Sequence, residues 1–262
     1  MEKPKASEWF ERIKAAAPAA RFDLECLGMP HGLPLLALTR RASAIAPRIY
    51  VSAGIHGDEP AGPVAVAYLL EQGLFDDRFT WTLCPLLNPG AWDAGTRENP
   101  DRIDLNRDYR HPISREIQLH RAWLEGRPPN DLYLSLHEDW EASGFYLYEI
   151  NTTSLPSFAG SILDRVGTVI PREPMARIDN HEVTAPGLIQ HTPEADEPEN
   201  WPEAIFHSHL YPHLSYTFET PSTVDLAARI KAMALGIEAA IEEFSKFPPT
   251  HRKTGDKQSL RS

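Results

Sequence analysis

Short apolar runs that alternate with helix-period segments constrain this chain more than any other feature. Residues 48–54, 79–87, 131–136, 145–150 and 214–218 read as strands, the first of them deeply buried. Between them lie helical patterns. Pro63 suits the first position of one helix, with Gly62 before it and Gly73 ending it. Residues 114–126 form another, with Ile117, His120 and Leu124 turned inward. The segment 7–16 gives a short amphipathic helix carrying Trp9, Phe10 and Ile13, and 22–27 with 35–38 reads as a hairpin about His31-Gly32. In the last helix Leu226, Ile230, Met233, Ile237, Ile241 and Phe244 step by three or four, with Ser222 and Asp225 supplying an N-cap and a nearby acid. Strands separated by helices predict an α/β fold: a single domain, with a mixed central β-sheet and helices on both faces. The domain is expected to span 1–247. The tail 248–262 has no apolar pattern and is expected to be disordered.

Composition narrows the function. The 262 residues carry a net charge of −11, which argues against a nucleic-acid binder, since that would need a basic stripe. No run approaches ~18 uncharged apolar residues, so no membrane span is expected. Glu8, Glu11 and Lys14 interrupt the stretch where a signal peptide would be apolar, and Cys26 and Cys84 are too few for a disulfide scaffold. A cytoplasmic location is the resulting expectation. The 24 prolines and 15 glycines imply many fixed turns and much ordered loop, where binding and catalytic residues concentrate.

Four segments place ionisable side chains just after strand-like runs. In Gly54-Ile55-His56-Gly57-Asp58-Glu59, an imidazole and a carboxylate in a glycine-containing loop can turn toward one point, and both are good Zn²⁺ donors. His137 ends a hydrophobic run; with His56 and Glu59 it makes a His₂Glu set, the donor type of catalytic zinc sites. Arg97 and the run Asp104-Leu105-Asn106-Arg107-Asp108 form a polar segment whose arginines match a carboxylate in two-point fashion. Glu219, in Thr217-Phe218-Glu219-Thr220, ends an apolar strand, where a carboxylate is costly unless paired or used. Each segment alone has a plainer reading, as a surface pair, a core histidine, a solvated loop or a helix-end charge.

In this order, H-x-x-E, D-L-N-R, a single His and T-F-E resemble the zinc carboxypeptidases of the M14 clan, including its smaller aspartoacylase and succinylglutamate desuccinylase branch. The resemblance spans about 48–220. It implies that His56, Glu59 and His137 hold one Zn²⁺, and that Asp104 orients the first ligand histidine from behind. It further implies that Asn106 and Arg107 grip the substrate's carboxylate, that Arg97 polarises the scissile carbonyl, and that Glu219 is the catalytic glutamate. The chain departs from the larger enzymes at 191–201, which is acidic and proline-rich and lacks their mobile tyrosine, so no tyrosine is assigned. Glu138-Asp139-Trp140 is also unlike the family pattern, and the resemblance assigns it nothing beyond support of the site.

The expected activity is hydrolysis of an amide bond next to a free carboxylate in a small peptide. An N-acyl-amino-acid amidohydrolase uses the same residues, and a catalytically silent carboxylate-binding homologue keeps the same fold. The acidic stretch 194–203 (Glu194, Asp196, Glu197, Glu199, Glu203) either borders the cleft and favours a basic group on the substrate or forms a solvated loop.

Overall fold

The computed structural model describes residues 2–178, 181–191 and 199–247. Its elements are α1 (Ala6–Ala19), β1 (Asp23–Gly28), β2 (Leu35–Arg40), β3 (Arg48–Ala53), α2 (Ala61–Glu71), β4 (Thr80–Cys84), α3 (Pro89–Trp92) and α4 (Arg115–Glu125). They continue through β5 (Leu132–Asp139), β6 (Tyr146–Asn151), α5 (Ala159–Val166), β7 (Arg177–Ile178), β8 (His181–Glu182) and β9 (Leu188–His191). α6 (Glu203–Leu210), β10 (Leu214–Pro221) and α7 (Leu226–Phe244) complete them. One eight-stranded sheet runs in the order β1-β2-β4-β3-β5-β10-β6-β9, with β7 and β8 paired separately. The centre, β4-β3-β5-β10, is parallel; β1 and β2 pair antiparallel with their neighbours, and β6 is antiparallel to β10 but parallel to β9. The sheet is mixed, as expected.

Strand alternation divides the molecule. Ile49, Val51 and Ala53 of β3, Leu132, Leu134 and Leu136 of β5, and Leu214, Tyr216 and Phe218 of β10 all join one core. That face is covered by α1, α2, α5 and α7, which bury Trp9, Val66, Ile162 and Ile237 against it. Each fully buried side chain of this size stabilises the fold by about 1.5–3 kcal/mol. The intervening residues turn to the other face. At one end Tyr50, Tyr133, Ile117, Leu124 and Phe206 pack there under α4 and α6. At the other end the same face carries Ser135, His137, Thr217 and Glu219, all lining one cleft. Helices therefore cover both faces, and the part of the second face they leave open is polar. No helix of the described residues is long and apolar enough to cross a membrane.

Several local expectations are corrected. α2 starts at Ala61, so Pro63 is its third residue, because the Glu138 carboxylate accepts the Ala61 N–H at 2.6 Å and fixes the helix start from across the sheet. α1 runs on through Pro18, whose missing N–H falls in the last turn. β5 continues beyond His137 to Asp139, held in register by β10. Asn88 caps the short helix α3, its side chain accepting the Ala91 N–H, and α7 is capped by Asp225, whose side chain accepts the Ala227 N–H. The tail 248–262 lies outside the described residues.

Candidate metal centre

β3 ends at Ala53, and Gly54 then turns the chain with φ 61°, a conformation that suits glycine. The loop that follows lies so close to α3 that a Cβ at Gly57 would collide with the backbone of Ala91. Gly57 N–H also donates to Thr96 O at 2.9 Å. This packing fixes His56 and aims it at Glu59, with His56 Nδ1 2.6 Å from Glu59 Oε1. From the neighbouring strand β5, His137 Nδ1 comes within 3.1 Å of the other carboxylate oxygen, Oε2. One donor atom from each of His56, Glu59 and His137 lies within 4.8 Å of the others, and all three residues are buried. Residues 81 positions apart in sequence thus meet because β3 and β5 are parallel neighbours.

Electrostatics agrees with a site built for a cation. Burial alone would push the His56 imidazole down, but the Glu59 carboxylate beside it and the bond to Asp104 hold it well above its ordinary value. Burial would likewise raise Glu59, yet His56 and His137 draw it down. Glu59 Oε2 lies 3.1 Å from His137 Nδ1 but makes no well-aligned hydrogen bond there, so the pair is held as neighbours and not locked together.

Asp104 stands behind His56, with Oδ1 3.1 Å from Nε2. Its orientation is fixed locally, since the same oxygen accepts the Asn106 N–H at 2.9 Å in a single 3₁₀ turn, Leu105–Arg107. Arg97 Nε donates to the other oxygen at 3.0 Å, and Arg97 Nη1 approaches Glu59 Oε1 at 3.8 Å. Burial would raise the Asp104 carboxyl, but the His56 bond and the charges of His56, Arg97 and Arg107 hold it well below the usual carboxylate range. A carboxylate on the far nitrogen of an imidazole fixes its tautomer and raises its basicity. Asn106 and Arg107 line the same cleft. Asn106 Oδ1 accepts the Glu203 N–H at 2.9 Å, and Arg107 Nη1 donates to Asn106 O at 2.9 Å. Glu219 sits on β10 directly beside His137 in the parallel register and beside Tyr146 in the antiparallel one. All eight residues singled out in the sequence lie in or against one cleft of about 830 Å³, Asp104 from behind His56.

Other parts of this site escape the sequence patterns. Glu203, expected within an acidic loop, is the first residue of α6 and is fully buried. It accepts hydrogen bonds from Tyr50 (2.6 Å), Ser52 (2.6 Å) and Ser135 (3.0 Å). Serines at inward positions of otherwise apolar strands are the one signal of it along the chain. Of the same stretch, Glu199 is exposed, Asn200 and Pro202 line the cleft, and Glu194, Asp196 and Glu197 lie outside the described residues. Glu138 borders the cleft and is held in a buried ion pair with Arg229 of α7, while Asp139 accepts from Tyr146 Oη at 2.8 Å. Tyr146 and Tyr148 line the cleft from β6.

Comparison with known proteins bears on the fold and on residues 45–152. Residues 45–152 match the sequence profile described as succinylglutamate desuccinylase/aspartoacylase catalytic domain. No curated protein matches the sequence. Among solved structures, a candidate metallopeptidase from Shewanella denitrificans is 24% identical with a TM-score of 0.80, over 92% of this chain and 91% of that one. A metallo-carboxypeptidase from Pseudomonas aeruginosa, in complex with (2-guanidinoethylmercapto)succinic acid, is 18% identical with a TM-score of 0.64, over 89% of this chain and 69% of that one. Bovine thrombin-activatable fibrinolysis inhibitor is 12% identical with a TM-score of 0.68, over 94% of this chain and 97% of its own. The chain is thus an α/β protein of the metallo-carboxypeptidase fold whose residues 45–152 match the succinylglutamate desuccinylase/aspartoacylase catalytic domain.

Proposed function

We propose that this chain is a zinc-dependent metallocarboxypeptidase that hydrolyses the amide bond next to a free carboxylate in small peptides. One observation carries the reading: a His₂Glu donor group, a glutamate in register beside it and two arginines share a single cleft. The residues fit a zinc ion. Three donors of the right chemistry converge from the loop after β3 and from β5, and the buried Glu59 Oε2 makes no well-aligned hydrogen bond to His137 that a metal would have to displace. Bound there, zinc would supply Lewis acidity, activating water near neutral pH and polarising a carbonyl.

The remaining steps belong to the protein. Glu219, beside His137, would take a proton from the attacking water on a carboxylate oxygen and deliver it to the departing nitrogen. Arg97 stabilises the negative oxygen that develops on the scissile carbonyl; removing one such donor typically costs about 2.7–4 kcal/mol. Arg107 and Asn106 bind the substrate's carboxylate and so choose which amide bond lies at the centre. Asp104 holds His56 in one tautomer. Asp104→Asn should weaken zinc binding about 10–100-fold in a chelator competition; unchanged affinity would remove Asp104 from the site.

The profile match over 45–152 favours a second reading, an N-acyl-amino-acid amidohydrolase. Metal quantification of the purified protein, followed by turnover of short peptides and of N-acetyl- and N-succinyl-amino acids with and without chelator, separates the two. Chelator-sensitive cleavage of peptides with a free carboxyl terminus supports the peptidase. Cleavage of the acylated amino acids alone replaces it with the amidohydrolase.

A further inference from the structure

The two ends of the cleft differ in charge. Arg97 and Arg107 come from the segment between β4 and α4, on the β3 side of the metal-binding group. The opposite rim is the β5–β6 connection. Because β10 lies between β5 and β6, this connection must cross the end of β10, and Ser222 N–H bonds to Asp139 O at 2.8 Å to pin it there. The rim is tightly held at every step. Asp139 accepts the Glu141 N–H and the Tyr146 hydroxyl, each at 2.8 Å, and Glu173 accepts the N–H groups of Ser143 and Gly144 at 2.7 Å.

This rigid rim presents Trp140 to solvent. Trp9, Trp81 and Trp92 are fully buried, whereas Trp140 is 75% exposed and lines the cleft together with Glu141. An apolar ring held out on an ordered loop beside a reaction centre is a binding surface, since loop mobility does not explain its exposure. Its neighbours decide what it binds. The exposed side chain of Glu141 adjoins it, and the Asp139 carboxylate accepts two hydrogen bonds beneath it. An aromatic face beside carboxylates attracts a cation and repels an anion.

We propose that Trp140 and Glu141 form a subsite for a free ammonium group on the acyl side of the scissile bond. The preferred substrates are then short peptides carrying an amine at that end and a carboxylate at the other, matched to the glutamate and arginine ends of the cleft. This rests on the peptidase reading and makes it more specific. An acetyl group offers the rim no cation, and a succinyl group would bring a second anion against it.

The test compares a dipeptide bearing a free α-amino group with its N-acetylated and N-succinylated counterparts, in the wild-type, Trp140→Ala and Glu141→Gln proteins. The free amine should raise kcat/KM at least about tenfold over the acetylated peptide, and each substitution should cut that ratio about threefold to tenfold. Titrating the same peptides into the Glu219→Gln protein by calorimetry reads the preference without turnover. Peptides cleaved or bound equally well with and without the amine, or a ratio unmoved in both variants, would overturn the subsite and leave the peptidase reading standing. Turnover confined to N-acyl amino acids would overturn both.

Discussion

Glu219→Gln is expected to lower kcat by about 10²–10⁴-fold while zinc remains bound at one equivalent. Glutamine keeps the size and one oxygen of glutamate but cannot take a proton at neutral pH, so the loss isolates proton transfer from shape. Metal retention is expected because Glu219 lies beside the donor group without belonging to it: His137 is its register partner on β5, and the three convergent donors are His56, Glu59 and His137. His137→Ala removes one of those donors and should lose metal and activity together. Elemental analysis alongside single-substrate kinetics checks both variants. Glu219→Gln with undiminished kcat would take the residue out of the reaction, and His137→Ala with a full zinc content would show the donor set to be wrong. A catalytically silent, carboxylate-binding chain would leave both variants and the wild type equally inactive while still binding a peptide.

The pairing of these two residues is legible in the sequence only in part. Their order along the chain and their places near the ends of apolar runs can be read there. That Glu219 sits directly beside His137 depends on β10 inserting between β5 and β6, a non-local choice that no single segment encodes. Strand periodicity over 131–136 already turns Ser135 and His137 to one face, and the fold class follows from the alternation of strands and helices. What stays hidden is tertiary. Pro63 looks like a first helical residue, but the start of α2 is set by Glu138, 77 positions beyond Ala61. Glu203 looks like part of a solvated charge run because the preceding residues are acidic and proline-rich. Its burial follows from the hydroxyls of Tyr50, Ser52 and Ser135 and from its place at the head of α6, a helix with no clear apolar period. Trp140 carries no periodic signal at all, since it stands in a connection whose course is set by β10.

The same buried network makes acid stability the second large expected effect. Tyr50 donates its hydroxyl proton to Glu203, so its oxygen accepts from His120 Nε2–H at 2.9 Å. Burial keeps His120 neutral, and with Nε2–H donating to Tyr50 its Nδ1 accepts from Tyr109 Oη at 2.8 Å. Burial pushes the His120 imidazole down to about 4, and burial also pushes His213 down to about 4. From the ordinary histidine value down to about 4, the unfolded chain binds protons at these residues that the folded chain refuses, so stability falls as pH falls. Two such groups should remove about 4 kcal/mol between about pH 7 and 5. Glu203 adds to the loss below about pH 4.5. Burial alone would raise its carboxyl, but His207, His120 and Ser52 hold it well below the ordinary range, and acid must eventually protonate it. Urea denaturation at a series of pH values measures the slope. His120→Phe should lower stability at about pH 7, by removing the imidazole from between the Tyr50 and Tyr109 hydroxyls, yet lose about half as much on going to about pH 5. Glu203→Ala should cost about 3 kcal/mol at neutral pH, because three hydroxyls at the base of the cleft lose their acceptor. For a chain of this length that is a fall in Tm of about 6–12 °C. A wild-type stability that is flat across this range, or a slope unchanged in His120→Phe, would show that His120 is already protonated in the folded chain, with both ring nitrogens donating to the tyrosine oxygens.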